Sequence, residues 1–287
     1  MWGLIYPFVE QTALYEIFDR SYQADWGRLV TFEGFWGRPE ITQEIKQSFG
    51  SVAIYKCPTK RSGIALTPDP MVPSTDKPGP QGDYAYVVSV RYISASASFG
   101  WWNHGSSPTA ANLSYVASPF QISLLTPGTG GGKLEGAYFP RVTFASVSDG
   151  LSNQLFVGEK HIPIGRLGVC NGFEFDTTAK NQPNSGDCSY LMTGVWKSPA
   201  SGRNISSYDD QNGVPPYTPL QHPIARANDF QDDNSNPIRT YGFGSYHPGV
   251  CPFLLGDGAV HMFPVATTFS ILEAYSMMDD GFVVALP

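Results

Sequence analysis

From Val250 to Leu255 the chain is apolar throughout, Gly256-Asp257-Gly258 interrupts the run, and Ala259 to Phe263 resumes it. An Asp-Gly pair readily supplies the positive φ angles that a two-residue hairpin turn requires, so this stretch is expected to be strand, tight turn, strand. After Pro264, Phe269, Ile271, Leu272 and Tyr275 recur at helical spacing over residues 267–278. Thr267 or Thr268 stands at the capping position and Asp280-Gly281 at the stop. The closing residues 282–286, FVVAL, read as one returning edge strand.

Earlier segments are assigned by the same patterns. Residues 4–18 carry apolar side chains at Leu4, Ile5, Phe8, Leu14, Tyr15 and Phe18, which suits a short amphipathic helix. Ile41, Ile45 and Phe49 recur at every fourth position after Pro39, and Gly50 follows as a stop, so a second helix is expected there. Residues 52–55 read as a strand running into Cys57-Pro58, and residues 84–93 as another. Asp149-Gly150 signals a turn before a buried strand at Leu155, Phe156 and Val157. Residues 67–82 are loop. Residues 168–240 are long, polar and punctuated by Gly, Pro, Asn and Asp, so they form a variable, loop-rich insertion in which only 190–196 resembles strand. The expected fold is α+β in a single domain over residues 1–287: a short N-terminal helix, a mainly antiparallel sheet with long irregular insertions, and a closing hairpin and helix.

Charge decides which partners to exclude. Charged residues are 15% of the chain, against roughly 25% in an average domain. A net charge of -7 with no Lys/Arg run argues against nucleic acid and against an anionic membrane surface. No stretch approaches the roughly 18 to 20 apolar residues of a transmembrane helix. Cys57, Cys170, Cys188 and Cys251 contain no C-x-x-C pair, so zinc-ribbon and thioredoxin readings lack their spacing. All four are disulfide candidates. Cys170 with Cys188 closes a short Gly/Asn/Asp loop, and the alternative is four separate thiols.

Several residues invite a chemical reading. His247 with Asp257, and Ser245 nearby, contain the parts of a nucleophile triad, but no G-x-S-x-G elbow accompanies them. Asp257 lies in the hairpin turn, so the structural reading is preferred: Asp257 and Gly258 shape the turn, and His247 pins the preceding loop to it. Asp149, Gly150, Ser152, Asn153 and Glu159 are likewise read as structural, and neither Glu159 nor the scattered histidines have zincin spacing. Asp209 and Asp210 with Asn212, and Asp229, Asp232 and Asp233 with Asn234, are candidate calcium ligands, the alternative being solvated turns. Trp101, Trp102, Phe35 and Trp36 suit stacking on a glycan, the alternatives being core packing or contact between subunits. Asn112 and Asn204 sit in N-x-S sequons.

Four stretches together resemble one family. Residues 245–263, SYHPGVCPFLLGDGAVHMF, are similar to the C-terminal H-x9-DG motif of pilin-like exported proteins: His247, nine residues, then Asp257-Gly258. YPFVEQTALYEIFD near the start resembles that family's PYLEQ-ALYD segment, residues 56–58 its CPS step, and VSDGLSNQLFVGE at 147–159 its TDGTSNT-to-GE stretch. The resemblance implies a pilin-like globular part preceded by a prepilin segment with a cleavage site and a long hydrophobic helix. Met1 falls just before the PYLEQ-like stretch, so the expectation is a processed or truncated form, or a member that assembles by other means. The expected function is a structural subunit of an extracellular filament, tube or cell-envelope layer, associating with copies of itself, not an enzyme, with no required cofactor except possible calcium. The rival is a surface module binding carbohydrate or a calcium-dependent ligand.

Overall fold

The computed structural model describes residues 2–23, 36–67, 79–88, 118–120, 124–125, 138–139, 142–162, 164–165, 167–168, 187, 189–191, 202–204, 224–226, 242–285 and 287. In chain order their strands are β1 (Tyr84–Val88), β2 (Leu124–Leu125), β3 (Tyr138–Phe139), β4 (Leu155–Glu159), β5 (Gly202–Asn204), β6 (Ile224–Arg226), β7 (Phe243–Ser245), β8 (Val250–Leu255) and β9 (Val260–Pro264). Five form one sheet in the order β5-β1-β4-β8-β9, while β2 pairs with β3 and β6 with β7. Within the large sheet the β1–β4, β4–β8 and β8–β9 pairs are antiparallel and β1–β5 is parallel. With the helices α1 (Thr12–Gln23), α2 (Gln43–Gly50) and α3 (Phe269–Ser276), the fold is α+β with a mainly antiparallel sheet.

The hairpin forms, but not through a two-residue turn: the Leu255 amide donates to the Ala259 carbonyl at 2.8 Å and the Gly258 amide to the Leu255 carbonyl at 3.1 Å, so Gly256, Asp257 and Gly258 make a three-residue loop in which Gly258 alone has positive φ. The Ala259 amide donates to the Asp257 carboxylate at 2.9 Å, and Gly258 takes φ of 90°, a conformation that a Cβ would strain. Cross-strand pairing fixes its two faces. Cys251, Phe253, Leu255 and Phe263 point inward and join Ala85, Val87, Leu155, Ile224 and Phe243 in a core. Helix α3 closes this core with Phe269, Leu272 and Tyr275. Phe243, Phe253, Phe263 and Tyr275 follow one another ring to ring at 5.0, 5.3 and 5.6 Å between centroids.

A second core lies on the other face of the sheet. Trp2, Tyr6, Leu14, Trp36, Ile41, Phe49, Val52, Tyr55 and Tyr190 make it, with Tyr84, Tyr86 and Val157 of the sheet packed against it. Its hydroxyls are bonded: Tyr6 Oη lies 2.8 Å from Tyr190 Oη, Tyr190 Oη donates to the Phe49 carbonyl, and Tyr55 Oη to the Trp2 carbonyl. Trp36 is core, its ring 6.0 Å from Phe49, so it presents no face to a glycan. Phe35, Trp101 and Trp102 lie outside the described residues.

Four local expectations are corrected. The single N-terminal helix is two pieces, a 3-10 segment Trp2–Val9 containing Pro7 and then α1, joined at Glu10 with φ of 61°. Pro7 removes a backbone donor and so weakens any α-helix that includes it. Residues 52–55 are not strand: the Tyr55 and Lys56 amides donate back to Val52 and Ala53, giving the 3-10 turn Ala53–Tyr55. A bulge between Leu155 and Val157 of β4 leaves Leu155 buried but turns Phe156 and Val157 to the half-buried side. Residues 282–285 form no strand; the Tyr275 hydroxyl instead donates to the Val284 carbonyl at 2.7 Å. By contrast, α2 is capped as expected, Thr42 Oγ1 accepting the Ile45 amide.

Candidate functional site

A tight turn follows Tyr55. The Lys60 and Arg61 amides both donate to the Cys57 carbonyl, at 2.9 and 3.0 Å, and this turn delivers two adjacent cations to the end of β4. Val157 faces the second core, and strand alternation turns Glu159 to the same side, where it meets them. Lys60 Nζ is 2.9 Å from Glu159 Oε1 and also donates to the Lys160 carbonyl at 2.6 Å and the Gly244 carbonyl at 3.1 Å. Arg61 reaches Asp83 at 2.8 Å, Asp187 at 3.0 Å and the Gln81 side-chain oxygen at 3.1 Å. Lys160 Nζ stands 3.6 Å from Asp187.

Three cations, Lys60, Arg61 and Lys160, thus face three anions, Asp83, Glu159 and Asp187, and the formal charges cancel. Cancellation is needed here, because the cost of taking each ion out of water is several kcal/mol unless a partner and hydrogen bonds replace the solvent. Asp83 also accepts the Cys57 amide at 2.8 Å, and Asp187 the Gly168 amide at 2.8 Å. Burial alone raises the Asp187 carboxyl, but the Arg61 guanidinium, Lys160 and the hydrogen bonds outweigh it and hold it below the usual carboxylate range. Lys60 Nζ lies 5.4 Å from the centroid of the Tyr246 ring, whose hydroxyl burial pushes up to about 12.

Beside this cluster stand Cys57, His247 and Ser245. Ser245 Oγ donates to Glu159 Oε2 at 2.5 Å and accepts the His247 amide at 3.0 Å. Cys57 Sγ is 3.7 Å from His247 Nε2, which is 3.9 Å from Glu159 Oε2. Burial raises the Cys57 thiol above its ordinary range, with Glu159 adding to the effect. Thr59 Oγ1 lies 2.9 Å from the same sulfur.

A family model described as "Protein of unknown function (DUF1559)" matches residues 1–269. The chain belongs to that family. No curated protein and no solved structure matches it. The matched span holds all four stretches singled out in the sequence, and three of them, through Cys57, Glu159 and His247, meet at one point.

The remaining candidates are dispersed. His247 and Asp257 do not form a pair: β8 runs between them, and six extended residues cover roughly 20 Å. Asp257 is exposed at the hairpin tip, and His247 faces Cys57 and Glu159 across the end of β4. Ser245 is committed to the Glu159 carboxylate, so the triad reading fails. Asp149 is a clamp: its carboxylate accepts the Asp280 and Gly281 amides at 3.0 and 3.2 Å, while its carbonyl accepts Asn153 Nδ2 at 2.9 Å across Gly150. Cys57 and Cys251 are free thiols, not disulfide partners, because Cys251 Sγ is turned into the core toward the Glu159 carbonyl while Cys57 faces His247. Cys170 and Cys188, and the candidate calcium ligands Asp209, Asp210, Asp229, Asp232 and Asp233, lie outside the described residues.

Sequence reasoning missed Lys60, Arg61, Asp83, Lys160 and Asp187. A signal was present. In a chain so poor in charge, Lys60-Arg61 and Glu159-Lys160 adjoin turns and strand ends next to apolar runs, where an ion is either buried in a pair or wasted.

Proposed function

We propose that the protein is a structural subunit, pilin-like in its use, whose copies associate into a filament, tube or layer outside the cell. The observation that carries this reading is the outward face of the C-terminal hairpin. Val250, Pro252, Leu254, Val260, Met262 and Pro264 share that face, and all six are apolar. An antiparallel sheet with one face in water normally alternates apolar with polar residues. Here Val260 is 60% exposed and Met262 55%. Moreover, among the described residues β9 is the last strand in the sheet order, so the apolar face continues there to a sheet edge, the kind of place where a further strand or a second copy adds. The buried ionic cluster suits the same role, since it locks loops of the subunit together without presenting charge to a neighbour.

Electron microscopy and sedimentation of the purified chain test the reading. Ordered polymers or concentration-dependent oligomers are expected, and the double substitution Val260→Lys, Met262→Lys is expected to leave folded monomers. A chain that stays monomeric at high concentration, with the variant indistinguishable from it, would overturn the proposal.

A further inference from the structure

Self-association gives no role to the point where Cys57, Glu159 and His247 converge. Their ligand atoms, Sγ, a carboxylate oxygen and a ring nitrogen, all lie within 4.8 Å of one another. Two of the separations are 3.7 Å, from Sγ to Nε2, and 3.9 Å, from Nε2 to Oε2. Around a tetrahedral zinc ion, with Zn–N and Zn–O near 2.1 Å and Zn–S near 2.3 Å, neighbouring ligand atoms stand about 3.4 to 3.6 Å apart. The Sγ–Nε2 edge exceeds its tetrahedral value by about 0.1 Å and the Nε2–Oε2 edge by about 0.5 Å, within the reach of side-chain rotations.

We propose that Cys57, Glu159 and His247 bind one zinc-class divalent cation through Sγ, Oε2 and Nε2, leaving a fourth position for water or a small ligand. The donor set selects this class. Thiolate and imidazole are ligands of zinc and its neighbours, whereas calcium and magnesium require an all-oxygen cage. On binding, the Cys57 S–H bond breaks, its electron pair goes to the metal and its proton to solvent.

The arrangement argues against the nearest competitor, a cysteine nucleophile with a histidine base. In such a relay the base uses one ring nitrogen for the thiol and the other for the orienting carboxylate. Here thiol and carboxylate both face Nε2, which is convergence on a point and not a chain of proton transfers.

The surroundings already resemble an outer shell. Lys60 occupies Glu159 Oε1, which leaves Oε2 to turn toward His247, and Ser245 holds that oxygen in place. A carboxylate oxygen has two lone-pair sites, so the Ser245 bond leaves one for a metal. Thr59 Oγ1 is placed to donate to a Cys57 thiolate. Cys57 and Glu159 are buried, while the His247 side chain is 33% exposed and gives an entry path from solvent. A bound ion would cross-link the turn after Tyr55, the end of β4 and the segment between β7 and β8.

The test is titration of the full chain, stripped with chelator, by Co²⁺ and then Zn²⁺. One equivalent of Co²⁺ is expected to give a thiolate-to-cobalt charge-transfer band in the near ultraviolet, removed by Zn²⁺ and absent in Cys57→Ser. His247→Gln, at a partly exposed position, is expected to keep its circular dichroism and lose more than about 100-fold in affinity, the upper scale seen for loss of an outer-shell partner alone. No such band in the wild-type chain, or a band that survives Cys57→Ser and so belongs to another thiol, would overturn the proposal. If Cys57→Ser does not fold, undiminished affinity in His247→Gln would overturn it equally.

Discussion

The Lys60 ammonium donates to the carbonyls of Lys160 and Gly244 and forms an ion pair with Glu159 Oε1, in a place from which water is excluded. Its worth is best seen by removal. Lys60→Met leaves a buried carboxylate without its partner, and the expected loss is about 3–5 kcal/mol, read from the denaturant midpoint at unchanged slope. Adding Glu159→Leu removes the orphaned charge and is expected to recover part of that loss. A cost under about 1 kcal/mol for Lys60→Met would mean that the pair is hydrated, like a surface salt bridge.

At the scale of the element, β4 is held by what it lacks. A Cβ on Gly158 would stand 2.5 Å from Phe253 Cε1 and 2.6 Å from Phe243 Cδ1, so the central strand and two core rings pack against bare backbone. Gly158→Ala is expected to destabilise by about 1–3 kcal/mol, the usual cost of overpacking, visible as a lower thermal midpoint. How legible each element was follows from where its determinants lie. The hairpin, α2 and α3 carry theirs locally: a D-G turn, a threonine cap, an apolar stripe. Residues 52–55 and 282–285 are apolar in the same way, but a strand exists only where a neighbour offers a ladder, and that is a tertiary fact. The bulge in β4 was equally hidden, since Leu155 and Val157 are alike in sequence and differ only in register. The site was the least legible of all. Cys57 and His247 stand 190 residues apart, and nothing local marks either as the other's neighbour.

For the whole molecule, buried ionisable groups set the pH range of stability. Asp187 is held below its ordinary 3.8, so its contribution is complete above that value and drains away as pH falls through the lower folded value. On the alkaline side burial pushes the Cys251 thiol far above its ordinary 9.0 and raises Tyr84 to about 12. The unfolded chain then gives up protons that the folded one keeps, and stability declines as pH rises past 9. Calorimetry is expected to find a plateau between these limits, falling below about pH 4 and above about pH 9; a midpoint independent of pH across both would contradict the buried, paired state of these groups. The strand order also constrains folding during synthesis. Among the strands of the described residues, β8 and β9 are the one neighbouring pair in the large sheet that is also consecutive in the chain, whereas β4 must wait for β8 to cover its second edge. A nascent chain that has emerged only as far as β7 carries an open ladder edge at the centre of its future sheet. The hairpin, folding locally, arrives as a unit and closes it. Completion of the sheet is therefore a late, long-range docking step, and a ribosome stalled before residue 250 holds a chain primed to pair with the wrong partner.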